Sequence, residues 1–175
     1  MPVLLEQQQR QLLRHMRLNK ICDIIGSGPS AAGYDWPDDH DKWSVGSALA
    51  GYGTKPDLFF CFHDCDPVEH LGRLDKAFLD KRTYPIDKIV KYFGSSYFTN
   101  SIAYMIAYAI FKGYEKIRLI GIDMDIGSEY EFERPCVLYW IGRAEGEGII
   151  VETTSNLNTT FFMYGYNDSS AILEV

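Results

Sequence analysis

One short run of the chain is continuously apolar after its first residue, 57–62 (DLFFCF), and residues 21–25, 116–123 (KIRLIGID) and 148–153 (GIIVET) also read as strands. Runs of this length without polar alternation read as strands buried on both faces, the habit of parallel sheets. Residues 42–48 read as a further strand. Elsewhere apolar residues recur every three or four positions, the helical period. That spacing predicts helices over 3–18, 68–80, 85–93, 102–111 and 134–145. Pro85 suits a first helical turn, and Gly94 and Gly113 suit helix ends. Thr99, Asn100 and Ser101 are strong N-cap residue types placed just before the 102–111 segment. That segment is apolar nearly all round, so its helix is buried on both sides. Strands alternating with helices predict an α/β protein. Its sheet is doubly wound and mainly parallel, with helices on both faces.

A chain of 175 residues is the length of one domain. Residues 1–19 are expected to form a helical arm, and residues 20–175 a single α/β domain. The arm either packs on the sheet edge or serves dimerisation. The aromatic run 161–166 (FFMYGY) either packs on its own domain or forms an interaction patch. Use of either surface would make the protein a homo-oligomer or a structural interaction protein. A net charge of −7 argues against nucleic acid as a partner. No apolar run approaches the roughly 20 residues a bilayer requires. The Gln- and Arg-rich opening does not read as a signal peptide, so a cytoplasmic protein is expected. The four cysteines are then expected as reduced thiols. Cys61, His63 and Cys65 alternate and would share one face of a strand continued that far. A zinc site needs three or four ligands, and nothing nearby completes the set.

Candidate chemistry gathers where strands end. Residues 20–30, KICDIIGSGPS, run from a strand into a glycine-rich turn and a helix start. That arrangement cradles phosphate in nucleotide-binding α/β folds. Gly26 and Gly28 would permit positive φ and close ligand approach. Ser27, Pro29 and Ser30 complete the turn, with Ser30 offering a hydroxyl at a helix mouth. Thr99, Asn100 and Ser101 supply a second helix mouth, so two would face one crevice. His63 is the best candidate for a general base, with Asp64 beside it in sequence. Two Asp-x-Asp pairs, Asp64/Asp66 and Asp123/Asp125, could hold Mg²⁺ together with a diphosphate.

The glycine turn, with the block T-N-S-I-A-Y-M-I-A-Y-A-I-F-K-G-Y-E-K-I-R-L-I-G-I-D over 99–123, resembles the bacterial sialyltransferases of the Campylobacter type. It is also similar to the Rossmann-like group that includes archaeal hydroxymethylpterin diphosphokinases, and to small phage and prophage proteins. The latter share G-x-D-M (121–124), E-Y-x-x-x-R-P (129–135) and Y-x-I-G (139–142). The resemblance covers about two-thirds of the chain and implies a Rossmann-like fold that binds a nucleotide or nucleotide sugar. By it, Gly26 to Ser30 with Thr99, Asn100 and Ser101 would contact the nucleotide. Asp123 would take ribose or, with Asp125, a metal. His63 and Asp64 would sit where the sialyltransferases place a polar donor-binding residue. Read from the residues themselves, transfer of a glycosyl or phosphoryl group would use His63 or Asp64 as base. The chain departs from the sialyltransferases in one respect: no His follows His70, whereas those enzymes carry a later catalytic His and a lid with tyrosines. A module that binds nucleotide without chemistry is the alternative.

Overall fold

A computed structural model describes residues 20–35, 37–45, 56–63, 77–125, 127–155 and 157. Six strands form one sheet in the order β4-β3-β2-β1-β5-β6. They are β1 (Ile21–Ile25), β2 (Asp41–Val45), β3 (Leu58–Cys61), β4 (Ala77–Asp80), β5 (Lys116–Ile120) and β6 (Ile150–Thr153). Every pairing is parallel. Three helices are described: α1 (Ile86–Phe93), α2 (Ser101–Lys112) and α3 (Arg134–Gly146). Strands β1 to β4 step outward in one direction, and α1 and α2 carry the chain back across the sheet. β5 then starts on the other flank of β1. The direction of winding therefore reverses between β1 and β5, the point at which open α/β sheets leave a crevice.

The strands read as expected because their alternate residues serve two packed sides. Cys22, Ile24, Trp43, Phe60, Ile117 and Leu119 enter one large core. Ile25 and Ile120 pack on the opposite side with Ala31. All three described helices lie on the first side, contributing Ile89, Met105, Ile106, Val137 and Trp140 among others. α2 buries Ala103, Ala107 and Ala109 completely, and these small side chains let it sit close to its neighbours.

The far side carries charge. Asp23, in the middle of β1, is fully buried. His40 Nδ1 lies 3.0 Å from its carboxylate, the Tyr34 hydroxyl donates to it, and Arg118 Nε stands 3.9 Å away. Arg118 also covers the Tyr34 ring and reaches Glu152, which pairs with Lys116 at 2.6 Å. Burial, reinforced by the bond to Asp23, pushes the Tyr34 hydroxyl far above its ordinary pKa. This network ties the β1–β2 connection, which includes the glycine turn, down onto the sheet.

Two expectations change. The helix expected over 68–80 does not extend through its last residues, because Ala77–Asp80 form β4. There Phe78 stacks on Phe59 with centroids 5.8 Å apart, while Leu79 packs against the helix-side core. An apolar stretch beside the open edge of β3 satisfies its backbone by pairing, which outweighs helical spacing. The second is redox state: Cys61 is disulfide-bonded, while Cys22 and Cys136 are free. The expected helix over 3–18, the loop at 51–53 and the aromatic run 161–166 lie outside the described residues. So do residues 46–48 of the second strand. Among the described residues no helix is long and apolar enough to cross a membrane.

Candidate functional site

A cleft of about 600 Å³ opens at the carboxyl ends of β1, β3 and β5. Gly26 to Pro29 line it after β1, Phe62 and His63 after β3, and Gly121 to Asp125 after β5. Phe98, Thr99, Asn100, Ser101, Ile102 and Tyr104 close it from the start of α2. Ser128, Tyr130 and Glu133 complete the rim. The structure thus brings together two of the four sequence-predicted stretches in full, 99–101 and 123–125, with Gly26 to Pro29 from the third and His63 from the fourth. Asp64 lies outside the described residues. Ser30 does not line the cleft.

The glycine turn is built differently from the expected phosphate cradle. Gly28 has φ −69° and ψ 153°, ordinary extended backbone, so no positive φ is required of it. The glycines are needed for close approach to the β5 loop. A Cβ at Gly26 would stand 2.5 Å from the Gly121 carbonyl. One at Gly28 would overlap the Asp123 carboxylate and come within 2.7 Å of that same carbonyl. Gly121, at φ +64°, could bear no side chain either, because Ala31 Cβ and Gly26 O would each lie 2.9 Å away. The turn's N–H groups are already engaged. Gly26 N donates to Ile120 O and Gly28 N to Gly121 O, both at 2.8 Å. Ser30 N donates to Asp123 Oδ2 at 3.1 Å. The Ser30 hydroxyl pairs with Thr154 at 3.1 Å, and Thr154 in turn accepts from Gly121 N. Pro29 has no N–H, and that of Ser27 has no partner among the described residues. The helix expected after the turn is a single 3-10 turn, Pro29–Ala31, too short to develop an anion site.

The mouth of α2 is a developed helix start in the cleft. Asn100 caps it, its side chain accepting from Ala103 N at 2.8 Å. The amide of Asn100 donates to Glu133 O at 3.2 Å and so fixes the start of α2 against that of α3. The N–H groups of Ser101 and Ile102 have no partner among the described residues. They carry the positive end of the helix dipole into the cleft.

The lining is acidic. Asp123 Oδ1 is buried without a partner among the described residues. Asp125 and Glu133 add two more carboxylates, and the described lining contains no Lys or Arg. Met124 sits between the two aspartates in left-handed backbone, φ 46°, a conformation uncommon for a side chain of this kind. Among the described residues no three His, Cys, Asp or Glu side chains gather as a metal site. β3 ends at Cys61, so Cys61 and His63 do not share a strand face.

Sequence reasoning missed the aromatic wall. Phe62, Tyr104, Phe98 and Trp140 stack in series, with centroids 4.4, 4.4 and 4.8 Å apart. The signal was present: an aromatic residue ends the DLFFCF strand and another precedes the α2 cap. Glu133 was also missed, since nothing local marks it as lining the cleft.

No family model matches the chain. No curated protein matches it either. Among solved structures it is similar to the sialyltransferase CstII from Campylobacter jejuni in complex with a substrate analogue, cytidine-5'-monophosphate. That match has 16% identity and a TM-score of 0.44, over 78% of this chain and 80% of that one. It is similar also to CstII with CMP-3FNeuAc, at 16% identity and TM-score 0.40 over 82% and 89% of the two chains. Sialyltransferase CST-II with a trisaccharide acceptor and CMP gives 17% and 0.42 over 82% and 89%. Likeness at this level reaches no further than the general arrangement of strands and helices.

Proposed function

We propose that the cleft binds a nucleotide or nucleotide sugar. The observation that carries this is the pairing of unmatched groups within one cavity. The N–H groups at the mouth of α2 and a buried carboxylate oxygen of Asp123, none of them with a partner among the described residues, belong to the lining of one cleft. The first suits a phosphate, which helix mouths receive through N–H groups and dipole. The second suits a hydrogen-bond donor, such as a ribose or sugar hydroxyl or an amino group on a base. A nucleotide carries both in one molecule. The motif resemblance over 99–123 supports the same reading. In this reading Ser27, Thr99, Asn100 and Ser101 surround the phosphate, Gly26, Gly28 and Pro29 form the floor, and Asp123 takes the donor. Ser30 acts only through its bonds to Asp123 and Thr154. Three carboxylates and no described cation at the cleft favour a diphosphate that arrives with Mg²⁺, with Asp125 placed beside Asp123 to meet it.

The reaction class proposed is transfer of a glycosyl or phosphoryl group, with His63, exposed on the rim, taking the acceptor's proton. A thermal-shift screen tests the binding step. It uses mono- and diphosphates of cytidine, uridine, guanosine and adenosine and their sugar conjugates, each with and without Mg²⁺. A ligand at about 100 times its Kd adds roughly 2.7 kcal/mol, a shift of several degrees. One nucleotide class should stabilise the protein selectively, and Asp123→Asn should blunt that shift. No shift with any compound removes the nucleotide reading. Release of nucleotide from a sugar conjugate by wild type but not by His63→Ala separates a transferase from a module that only binds.

A further inference from the structure

Tyr104 is the fourth residue of α2, and it lines the cleft. Its ring is clamped. Phe62 stacks on one face with centroids 4.4 Å apart and an angle of 25°, and Phe98 on the other at 4.4 Å and 9°. Tyr84 meets it edge-on at 5.2 Å. With both faces covered, only the rim of the ring, which includes the hydroxyl, is left to meet the cleft. Helical side chains lean toward the N-terminus of their helix, so a residue one turn in overhangs the free N–H groups at the mouth.

Several tyrosine hydroxyls are engaged within the protein. Tyr34 donates to Asp23, Tyr114 to Asp41, and Tyr84 to the Tyr104 carbonyl at 2.8 Å. The Tyr104 hydroxyl has no partner among the described residues. Tyr97, Tyr108 and Tyr139 share that state, but none of them lines the cleft. A hydroxyl open to the cleft on a ring held from both sides is a positioned donor or acceptor that a ligand can meet. We propose that Tyr104 is a ligand-binding residue, whose hydroxyl donates to a phosphate oxygen seated at the mouth of α2. The inference rests on the nucleotide reading above and adds a residue to it. Burial pushes the Tyr104 pKa upward, so the hydroxyl keeps its proton, and its capacity to donate, at neutral pH. In a cleft whose described lining has no Lys or Arg, a neutral donor of this kind takes the place a cation would otherwise fill.

Tyr104→Phe is the test, because it keeps the stacked ring and removes one atom. Titration calorimetry would compare wild type and variant against the four nucleoside mono- and diphosphates and the four phosphate-free nucleosides. A hydrogen bond to a charged group predicts roughly ten- to hundredfold weaker binding of the phosphorylated compounds. Nucleoside affinity and the melting temperature of the free protein should stay unchanged. Equal phosphate affinity in the two proteins overturns the assignment and leaves the nucleotide reading standing. A loss that extends equally to nucleosides also overturns it, since the hydroxyl would then touch another part of the ligand. If wild type binds none of these compounds, the nucleotide reading and this assignment fall together.

Discussion

At the scale of single residues, the glycine turn is the instructive case. Its sequence resembles a phosphate cradle, yet its N–H groups at 26, 28 and 30 are engaged within the protein. Gly28 is required because the Gly121 carbonyl and the Asp123 carboxylate occupy the space of a side chain. Gly28→Ala should therefore lower stability, by about 1–3 kcal/mol as overpacking does. Urea unfolding of the free protein measures it. An unchanged midpoint, with loss of ligand binding alone, would restore the cradle reading. What was legible here was position: the turn, the α2 cap and Asp123 were all placed at one crevice by strand ends alone. What was not legible was purpose. A G-x-G turn needed for backbone contact and one needed for ligand contact have the same letters, and only the partner loop tells them apart.

At the scale of elements, the described strands and helices followed apolar period closely, and the exception among them was β4. Ala77-Phe78-Leu79 fits a helical stripe and a strand equally well, and the vacant edge of β3 decides between them. The strand is then closed by Asp80. Arg82 donates to its carboxylate at 2.8 Å from Nε, and Thr83 bonds it through hydroxyl and N–H at 2.9 Å. These bonds, Arg82 foremost, hold the Asp80 carboxyl well below the usual carboxylate range. The folded pKa is depressed, so the contribution is present above the unfolded value of about 3.9 and is lost as pH falls below it. Wild type should exceed Asp80→Asn in stability at pH 6 to 7. The gap should close progressively as pH falls from about 5 toward 2. Denaturation midpoints of both proteins across that range measure it. A gap independent of pH would show that the charge of Asp80 does not stabilise the β4–α1 turn.

At the scale of the whole molecule, the sheet separates an apolar, helix-covered side from a side that carries a buried ionic network. The network joins β1, β5, β6 and the 31–40 segment through Asp23, Arg118, Glu152, Tyr34 and His40. Its centre is a carboxylate with no access to water, so removing it strands the groups that face it. Asp23→Ala should cost roughly 3–5 kcal/mol. The cost should be accompanied by faster amide exchange in the described parts of 26–40, measured by hydrogen exchange with mass spectrometry. A cost below about 1 kcal/mol would mean that the network is only surface decoration. None of this could be read from the chain. Asp23 lies inside an otherwise apolar run, and its partners come from positions 11, 17 and 95 residues further along.

The interlocked floor of the cleft has an evolutionary corollary. Positions 26, 28 and 121 meet backbone to backbone, with no volume into which a side chain could grow. Point substitution cannot reshape that surface without unseating β1 from β5. Any lineage descended from such a molecule would change its ligand at the walls, through positions 63, 98–104 and 124–133, while the floor stayed fixed.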